Sequence, residues 1–246
     1  SAGVPAACIG AVGCTGHGKG AYLWGRDGAP VRPAILSTDT RAQAVLARWE
    51  QDGTARRARS RTLQRLLVSQ PCVLLAWLKE QEPESYANIR WVFEAKDYIR
   101  FRLTGQARAE RTDYSGTGLM DLRTGRFERA LLDCYGIPEM EACLPPTAES
   151  QEICGRVDSG AAALTGLAEG TPVIGGMFDI DACALAAGVT DGRELCVIAG
   201  TWSINEYISR SPAPQQNGTM NSLFCMPGYY LVEQSSPTSA GNLEWL

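Results

Sequence analysis

Hydrophobic and polar residues follow one another in short blocks, which predict strands at the start of the chain and helices after them. The opening segment AACIGAVGC is a short apolar run bounded by glycines, as expected for a buried strand. In AYLWGRDGAPVRPAIL two apolar runs flank GRDGAP, which predicts two strands joined by a turn at Gly28. A helix that ends at Gly53 should follow, with an apolar face formed by Ala42, Val45, Leu46 and Trp49.

The middle of the chain has mainly helical periodicity. The segments PCVLLAWLKEQEPE and WVFEAKDYIRFRLTG predict two helices, the second ended by Gly105. The turn residues of TDYSGTGLMDLRTGRF predict turns and short strands, and ERALLDCYG and GAAALTGLAEG predict short helices.

A second set of strands and helices is predicted in the last third. TPVIGGMFD should be a buried strand, followed by a helix in IDACALAAGV that begins beside Asp179. RELCVIAGTWSINEYIS and GYYLVEQ should be strands on either side of a polar loop, PAPQQNGTMN, and SPTSAGNLEWL should begin a capped helix. Two successive sets of strands and helices predict an α/β protein with two lobes.

Composition and charge narrow the class of protein. The chain has 246 residues, of which 45% are hydrophobic and 20% charged, as is typical of a globular protein without a membrane-spanning run. A net charge of −4 gives no electrostatic reason to bind nucleic acid or an anionic membrane. The arginine-rich stretch TARRARSRTLQR is the exception, and its lack of aromatic residues favours a solvated loop and helix start.

Cysteine and histidine usage argues against several kinds of site. Nine cysteines without a Cys-x-x-Cys pair lie mostly in apolar runs, for example Cys8, Cys14, Cys183 and Cys196, and this predicts reduced, buried thiols in the cytoplasm. Because His17 is the single histidine and no Gly-x-Ser-x-Gly elbow follows it, hydrolase chemistry is disfavoured.

The stretch GCTGHGKG is close to a Walker A phosphate loop. Gly13, Gly18 and Lys19 fit that pattern, but Gly20 stands where the loop needs Ser or Thr, and a predicted strand follows where it needs a helix. A nucleotide loop is therefore disfavoured. The alternatives are a tight turn at a strand end, or a place where the backbone and Lys19 approach a small polar ligand.

Asp179 is the best single candidate for chemistry, because it lies where a buried strand gives way to a helix, the edge at which open α/β sheets bind ligands. The alternative is that Asp179, or Asp181 after it, only caps the helix. Capping alone would not require Gly175 and Gly176, which leave space for a ligand near the backbone.

Two further polar turns are candidate ligand-binding sites. In IAGTWS, Gly200 and Thr201 either offer amides and a hydroxyl to phosphate oxygens or form an ordinary hairpin turn. In STDTR, Asp39 and Arg41 lie on the same side of a predicted helix start, either near a ligand or as a plain ion pair.

A series of segments resembles the FGGY family of carbohydrate kinases, most closely its L-xylulose kinase branch. They occur in family order with family-like spacing over nearly the whole chain: GCTGHGKGAYLWGRDGAPVRPAILSTDTRA, LLAWLKEQEPESYANI, KDYIRFRLTG, TDYSGTG, QEICGRV, ALTGLAEGTPVIGGMFD, AGTWSINEY and SPTSAGNLEW. Each segment is weak evidence alone, and the series is specific.

The resemblance implies a two-lobed fold of the ribonuclease H-like (actin and hexokinase-like) superfamily. Residues 1–189 would be a sugar-binding domain without its first, phosphate-loop strands, and residues 190–246 the beginning of an ATP-binding domain. Asp179 would be the catalytic base, and Gly200 and Thr201 a phosphate-binding turn. The substrate-binding residues would be His17, Gly18, Lys19, Asp39, Arg41 and Phe178.

The implied reaction is phosphorylation of a ketopentose hydroxyl by ATP with Mg²⁺, with L-xylulose as the favoured substrate. His17 and Lys19 depart from the residues of D-xylulose and glycerol kinases, so another ketose or polyol, such as D-xylulose, ribulose or glycerol, stays open. A non-catalytic sugar-binding module is the alternative from another class. The resemblance assigns no metal ligand here, and it implies a cytoplasmic protein, a homodimer as one expected assembly, and no turnover by this chain alone.

Overall fold

The computed structural model describes residues 3–200, 203–214, 219–236 and 239. The helices of this part are α1 (Gln43–Gln51), α2 (Thr54–Thr62), α3 (Pro71–Gln81), α4 (Pro83–Asn88), α5 (Ala95–Thr104), α6 (Arg111–Tyr114), α7 (Arg129–Cys134), α8 (Ser159–Thr165) and α9 (Asp179–Ala186), with 3₁₀ turns at Ala6–Cys8 and Pro138–Cys143. The strands are β1 (Thr15–Gly16), β2 (Tyr22–Gly25), β3 (Ile89–Phe93), β4 (Ala109–Glu110), β5 (Met120–Asp121), β6 (Arg126–Phe127), β7 (Thr147–Ala148), β8 (Ile153–Arg156), β9 (Pro172–Ile174), β10 (Met177–Phe178), β11 (Cys196–Ala199), β12 (Ser203–Ser209), β13 (Met220–Leu223) and β14 (Tyr230–Ser236).

Four apolar clusters occur among the described residues, and the two with the most buried residues organise these elements. The larger core lies among α1, α3, α7 and the antiparallel β2–β3 pair, and it buries the predicted apolar face of α1. The smaller core lies between α9 and a four-stranded antiparallel sheet in the order β11-β12-β14-β13, where Phe178 and Ile180 pack with Ile208 and Leu231. This second core fixes the start of α9 against the sheet.

The opening segment is not the buried strand that its apolar run predicts. Ala6–Cys8 form a 3₁₀ turn, and Val12 makes a single parallel bridge with Val173. Among the described residues β1 pairs only with β10. With a strand neighbour on one side only, the apolar residues of this segment stay mostly exposed.

The predicted turn at Gly28 is confirmed, and its left-handed backbone, with φ +79°, suits glycine. The return segment meets the first strand only at the bridges Trp24–Pro30 and Ala21–Ile35, so it is not a full second strand. Proline lacks the N–H that a continuous ladder needs, and Pro30 and Pro33 both lie in this segment.

The helix predicted from Trp91 begins four residues later, at Ala95. Trp91, Val92 and Phe93 belong to β3 and pair with β2. Aromatic and β-branched side chains fit such a half-buried strand, and this long-range pairing outweighs the helical periodicity of the segment. The helix ends at Gly105 as predicted.

The segment TPVIGGMFD forms two strands rather than one. Gly175 and Gly176 separate β9, which pairs antiparallel with β8, from β10, which pairs parallel with β1. Gly176 has φ +75°, and a Cβ atom there would lie 1.9 Å from the carbonyl oxygen of Cys14. The glycines thus let the chain pass from one sheet to the other just before Asp179.

We expect Gly176→Ala to lower the free energy of unfolding by about 2 kcal/mol, because it adds a backbone clash to the cost of a left-handed alanine. Gly166→Ala is the matched control, since Gly166 has φ +77° with nothing within 4 Å of its Cβ position. Urea unfolding of both variants separates the two contributions. Equal losses would mean that the contact with Cys14 is relieved at no cost.

Part of the predicted polar loop PAPQQNGTMN is a strand, since Met220 and Asn221 begin β13. The Asn221 side chain is fully buried because its amide is satisfied: Nδ2 donates to the carbonyls of Leu63 and Ala213, and Oδ1 accepts from the Ala213 N–H. The helix predicted in SPTSAGNLEWL lies outside the described residues, apart from Ser239.

The nine cysteines are free thiols, but not all are buried as predicted. Cys8 and Cys183 are exposed and Cys14 is partly exposed, whereas Cys196 is buried. None of the described helices is long and apolar enough to span a bilayer.

Candidate functional site

A cavity of about 230 Å³ opens between the glycine-rich loop, the start of α9 and the four-stranded sheet. The residues that line it are His17, Gly18, Lys19, Ser37, Phe178, Asp179, Ile180, Cys183, Ile198, Gly200, Ile204, Glu233 and Ser235. It contains most of the site residues predicted from the sequence. We call it the sugar cavity below, for the substrate that the resemblance implies.

Parallel strand pairing explains why the glycine-rich loop and Asp179 lie together. Gly16 of β1 pairs with Phe178 of β10, so the residues that follow both strands leave the same edge of the sheet. The chain continues into His17 on one side and Asp179 on the other. The predicted location of Asp179, at the end of a strand and the start of a helix, is confirmed.

Asp179 is half-buried, and burial raises the pKa of its carboxyl. A hydrogen bond from the Ile180 N–H and the charges of His17 and Lys19 oppose this shift. The carboxylate therefore faces the cavity and accepts from one backbone N–H, but it is not the cap of α9, which begins after Phe178 without a side-chain cap. The catalytic role drawn from the sequence stays a prediction. A partly desolvated carboxylate near a cation suits proton transfer.

Lys19 has a left-handed backbone, with φ +68°, which costs a non-glycine residue on the order of 1 kcal/mol. Gly20 after it has φ +90°, and its N–H donates to the Ser69 carbonyl at 2.8 Å. The Lys19 ammonium lies 4.0 Å from a carboxylate oxygen of Glu233 and 5.8 Å from the centre of the Phe178 ring.

The chain after this loop forms β2 and not a helix, as the sequence predicts, so the loop lacks the helix of a Walker A site.

His17 is held by the strand that follows the loop. Its Nε2 lies 2.9 Å from the Tyr22 hydroxyl, and its Nδ1 lies 3.3 Å from the Gly18 carbonyl oxygen. A carbonyl only accepts, so Nδ1 carries a proton, and in the neutral ring Nε2 accepts from the Tyr22 hydroxyl. Burial raises the pKa of Tyr22, which keeps that hydroxyl a donor.

Gly18 packs where no side chain fits. A Cβ atom there would lie 2.7 Å from Oδ1 of Asp113 and 2.8 Å from the Phe178 ring. The sugar cavity is thus built directly on Asp113, which is buried in α6.

A buried ionic cluster lies below the loop and was missed by sequence reasoning. The ammonium of Lys96, in α5, lies 2.7 Å from Asp97, 3.1 Å from Glu110 and 3.5 Å from Asp113, and all four side chains are inaccessible to solvent. Burial lowers the pKa of Lys96, but the three carboxylates outweigh this and raise it overall. Burial raises the pKa of Asp113 well above its usual range.

Glu233 was also missed, although the alternation along β14 contains a signal for it. Leu231 packs in the smaller core, and Glu233, two residues later, shares its face of the strand. Glu206 of β12 is its cross-strand neighbour. Burial, and next the charge of Glu233, raises the pKa of Glu206 to about 8. Glu206 is therefore mainly protonated at neutral pH. Glu233, and not Glu206, lies beside the Lys19 ammonium.

Asp39 and Arg41 do not line the sugar cavity. They pair with each other, with Arg41 Nη2 at 2.8 Å from Asp39 Oδ2 and Nε at 2.9 Å from Oδ1, and they line a separate shallow depression. The hydrogen bond from Arg41 lowers the pKa of Asp39. Ser37, from the same segment, does reach the cavity. The plain ion pair is what the structure contains, and a role for the pair in sugar binding stays a prediction.

Gly200 lines the cavity at the end of β11, and Thr201 lies outside the described residues. Their predicted role in phosphate binding is untested. In the described part of the chain, no three or more His, Cys, Asp or Glu side chains are grouped as metal ligands. The predicted homodimer and the cytoplasmic location likewise stay predictions.

Comparisons with known proteins identify the family and the fold of this chain. The sequence model of the N-terminal domain of the FGGY family of carbohydrate kinases matches residues 1–186. The L-xylulose/3-keto-L-gulonate kinase of Escherichia coli (strain K12) is 39% identical over 244 residues, which are 99% of this chain and 49% of that protein. A probable L-xylulose kinase of Pasteurella multocida is 37% identical, over 95% of this chain and 49% of that protein.

The fold is shared with solved sugar kinases. The crystal structure of xylulose kinase from Rhodospirillum rubrum superposes with a TM-score of 0.87 at 28% identity, covering 96% of this chain and 48% of that chain. The predicted actin and hexokinase-like fold class is thereby confirmed, and the chain spans about half the length of the relatives it matches. Since the family model matches well over half of its residues, the chain belongs to the FGGY family of carbohydrate kinases.

Proposed function

We propose that this chain carries the sugar site of an ATP-dependent carbohydrate kinase whose substrate is a ketopentose, with L-xylulose favoured, and whose general base is Asp179. The observation that carries the proposal is the convergence of Asp179, Lys19 and Glu233 on one small cavity at the carboxyl ends of two parallel strands. The names of the relatives support the substrate class.

The base role follows from the surroundings of Asp179. Phosphoryl transfer depends on positioning and charge neutralisation, and a carboxylate beside the attacking hydroxyl accepts its proton as the new bond to phosphorus forms. Burial holds the pKa of Asp179 above that of an ordinary aspartate, which makes it a better proton acceptor when ionised. Lys19, nearby, favours the ionised form.

The cavity walls suit a small sugar. His17, Lys19, Glu233 and Ser235 offer groups that bind hydroxyls, and Phe178, Ile198 and Ile204 offer apolar surface to the carbon skeleton. A volume of about 230 Å³ lies below the range of drug-sized sites and favours a small polyol or monosaccharide. Another ketose or a polyol, and a non-catalytic sugar-binding module, are the alternatives.

For the cofactor, we propose that Gly200 and Thr201 approach the phosphates of ATP. Gly200 fits this role because it lines the sugar cavity on the side of the sheet and has no side chain to obstruct a phosphate. ATP with Mg²⁺ would supply the phosphoryl group, and the residues of this chain hold the sugar and take its proton. Residues 1–189 would form the sugar-binding domain and residues 190–246 the beginning of the ATP-binding domain, which accords with the family match to 1–186.

The test has two parts, because the chain spans about half the length of its relatives. Calorimetric titration of the chain with L-xylulose, D-xylulose, L-ribulose and glycerol measures sugar binding. ATP-dependent phosphorylation of the same panel is measured with a full-length protein that contains this chain. We expect a ketopentose to give the tightest binding and the highest kcat/KM. Binding without phosphorylation would favour the sugar-binding module. The absence of both binding and phosphorylation would overturn the proposal.

We expect Glu233→Gln to weaken sugar binding about tenfold, the effect of removing one charged hydrogen-bonding group from a site. The variant also removes the charge that holds Lys19 on this side of the cavity. Glu206→Gln is the matched control: Glu206 has a pKa of about 8, so glutamine replaces a group that is already mainly neutral at pH 7. Equal effects of the two substitutions on the dissociation constant would count against a direct role of Glu233.

A further inference from the structure

Two buried carboxyl groups, those of Glu94 and Asp113, lie beneath the glycine-rich loop. Glu94 is inaccessible to solvent and Asp113 nearly so, and none of their four oxygens accepts a hydrogen bond from any described residue. We call residues 17–20 the sugar loop, because Gly18 and Lys19 line the sugar cavity. We propose that Glu94 and Asp113 form a carboxyl pair that shares a proton and positions the sugar loop, so that loss of this proton weakens sugar binding.

Strand register places Glu94 against the sugar loop. Phe93 of β3 pairs with Tyr22 of β2 in antiparallel register, so Glu94, the next residue, lies where the loop enters β2. Asp113 reaches the same loop from α6, since its Oδ1 would lie 2.7 Å from a Cβ atom at Gly18. The backbone of the loop therefore separates the two carboxyls from the sugar cavity.

Two neighbouring acids use the cations of the buried ionic cluster. Asp97 accepts one hydrogen bond from Lys96 and another from Arg100. Glu110 lies 3.1 Å from the Lys96 ammonium, and both of its oxygens accept hydrogen bonds from neighbouring N–H and hydroxyl groups. Such contacts stabilise the ionised form of a carboxyl. Asp97 and Glu110 are therefore ionised, and their two charges balance the two cations.

Glu94 and Asp113 are the acids in excess of this balance. Asp113 lies 3.5 Å from the Lys96 ammonium, farther than the two ionised carboxylates, and Glu94 forms no ion pair within the described part of the chain. Two more negative charges among these buried side chains would be costly. Neighbouring carboxyls avoid this cost by sharing one proton, because each charge disfavours the other.

The surroundings of the pair favour its protonated form. Burial, and next the charge of Asp113, raises the pKa of Glu94 well above its usual range, and burial likewise raises the pKa of Asp113. The titratable and charged groups that face the pair are Lys19 in the loop, Tyr22 in β2, Lys96, Asp97 and Arg100 in α5, Glu110 in β4, Tyr114 in α6, and Asp179 and Asp181 at the start of α9. Among these cations, Lys19 is the one that lines the sugar cavity.

The sugar loop responds to the pair through Lys19. Its contact with Glu233 is long, at 4.0 Å, and its charge already acts on Glu94. When the shared proton passes to bulk water, a second negative charge appears beneath the loop and draws the ammonium away from the cavity. The Tyr22 hydroxyl, which holds His17, is affected as well, since burial and then the charges of the pair raise its pKa. This step rests on the proposed function, because it takes the cavity to be the sugar site.

Measurements on the chain without a ligand test the shared proton. A protonated carboxyl has an infrared carbonyl stretch distinct from that of a carboxylate, and Glu94→Gln should remove part of this band at pH 7. The folded state holds the proton more tightly than the unfolded chain, so the stability it contributes is present at low pH and is lost as the pH rises through the folded pKa. The urea midpoint of unfolding should therefore fall between about pH 5 and pH 10, and less steeply in Glu94→Gln. If the variant changes neither the band nor this slope, the proposal is overturned.

Calorimetric titration with L-xylulose, D-xylulose, L-ribulose and glycerol over the same pH range tests the coupling to the sugar. It uses a Glu206→Gln background, because Glu206, with a pKa of about 8, titrates in this range. We expect the dissociation constant to rise about tenfold with loss of the shared proton, the effect of losing one charge-assisted contact. Glu94→Gln should abolish this rise, and Glu94→Asp, which keeps the carboxyl, should retain it.

Two further variants separate a carboxyl pair from independent groups. Glu84→Gln is the matched control, because Glu84 is exposed in the first turn of α4 and its loss should leave the rise unchanged. If the pair shares one proton, Glu94→Gln/Asp113→Asn should change the pH dependence no more than Glu94→Gln alone. Additive effects, or a loss of affinity in Glu94→Gln that is equal at every pH, would overturn the proposal and leave the sugar site intact. Binding of none of the four compounds would instead overturn the proposed function and the coupling with it, while the infrared and unfolding results still decide the shared proton.

Discussion

Replacing Asp179 by asparagine should lower kcat about a thousandfold, within the range that a positioned general base contributes, and change sugar affinity by less than about threefold. Asparagine keeps the size of the side chain and its oxygen for the Ile180 N–H, but it cannot accept the proton of the attacking hydroxyl. The assay is ATP-dependent phosphorylation of L-xylulose by a full-length protein that contains this chain, with sugar binding measured separately.

The stability of the Asp179→Asn variant separates lost chemistry from misfolding. Burial raises the folded-state pKa of Asp179 above the unfolded value, so the folded state binds a proton more tightly. The stability that this carboxyl contributes is present at pH values below its unfolded pKa and is lost as the pH rises through its folded pKa. At pH 7 the wild type bears the cost of a half-buried charge that asparagine removes. We therefore expect a Tm equal to or above that of the wild type.

The pH profile supplies a second readout for Asp179. In the wild type, kcat/KM should fall on the acid side with an inflection above the ordinary pKa of aspartate, about 3.9, because the base must be ionised. Asp191→Asn is the control: Asp191 lies outside the sugar cavity and pairs with Arg193 at the surface. Equal rates for wild type and Asp179→Asn would remove the proposed mechanism, whatever the sugar.

The position of Asp179 could be predicted from the sequence because its signals are local. A short apolar strand, two glycines and a carboxylate before a helix of small residues are all within a few positions of each other. The buried face of α1 was predictable for the same reason, since its residues recur at helical spacing. Local patterns of this kind need no knowledge of distant partners.

The features that sequence reasoning missed depend on long-range pairing. Trp91–Phe93 are a strand only because β2 lies beside them, and Glu233 faces the cavity only because β14 pairs with β12 and β13. Asp39 and Arg41 form the ion pair that the sequence offered as one alternative, outside the cavity, and the role near the substrate that the resemblance implies stays a prediction. Spacing in the sequence does not determine which way such polar side chains face.

Lys96 is the clearest example, because its sequence surroundings are those of an ordinary solvated helix. The segment EAKDYIRFR alternates charged and apolar residues, yet Lys96, Asp97 and Arg100 are fully buried. Its partners are Asp113 in α6 and Glu110 just before that helix. They lie too far along the sequence for any periodicity to reveal them. The cluster is visible only in three dimensions.

We expect Lys96→Met to lower the free energy of unfolding by about 3–5 kcal/mol, the usual cost of removing one partner from a buried ionic group. Methionine fills a similar volume but leaves Glu110 and Asp113 without their cation, and Asp97 with Arg100 alone. Lys79→Met is the matched control: Lys79 forms an exposed pair with Glu139 at 2.6 Å, and its loss should cost about 0–1 kcal/mol. Chemical unfolding of both variants measures the difference.

The pH dependence of that loss tests its electrostatic origin. Without Lys96 the folded-state pKa of Asp113, which burial already raises, is raised still further, because the cation that lowered it is gone. The folded variant then binds protons more tightly than its unfolded chain, so its stability falls as the pH rises. We expect a larger deficit at pH 8 than at pH 5, and a partial recovery in Lys96→Met/Asp113→Asn, which removes one of the stranded charges. A loss of stability that is independent of pH, or no larger than that of Lys79→Met, would contradict this account. It would mean that Lys96 stabilises the protein beneath the Gly18 loop by packing and not by charge.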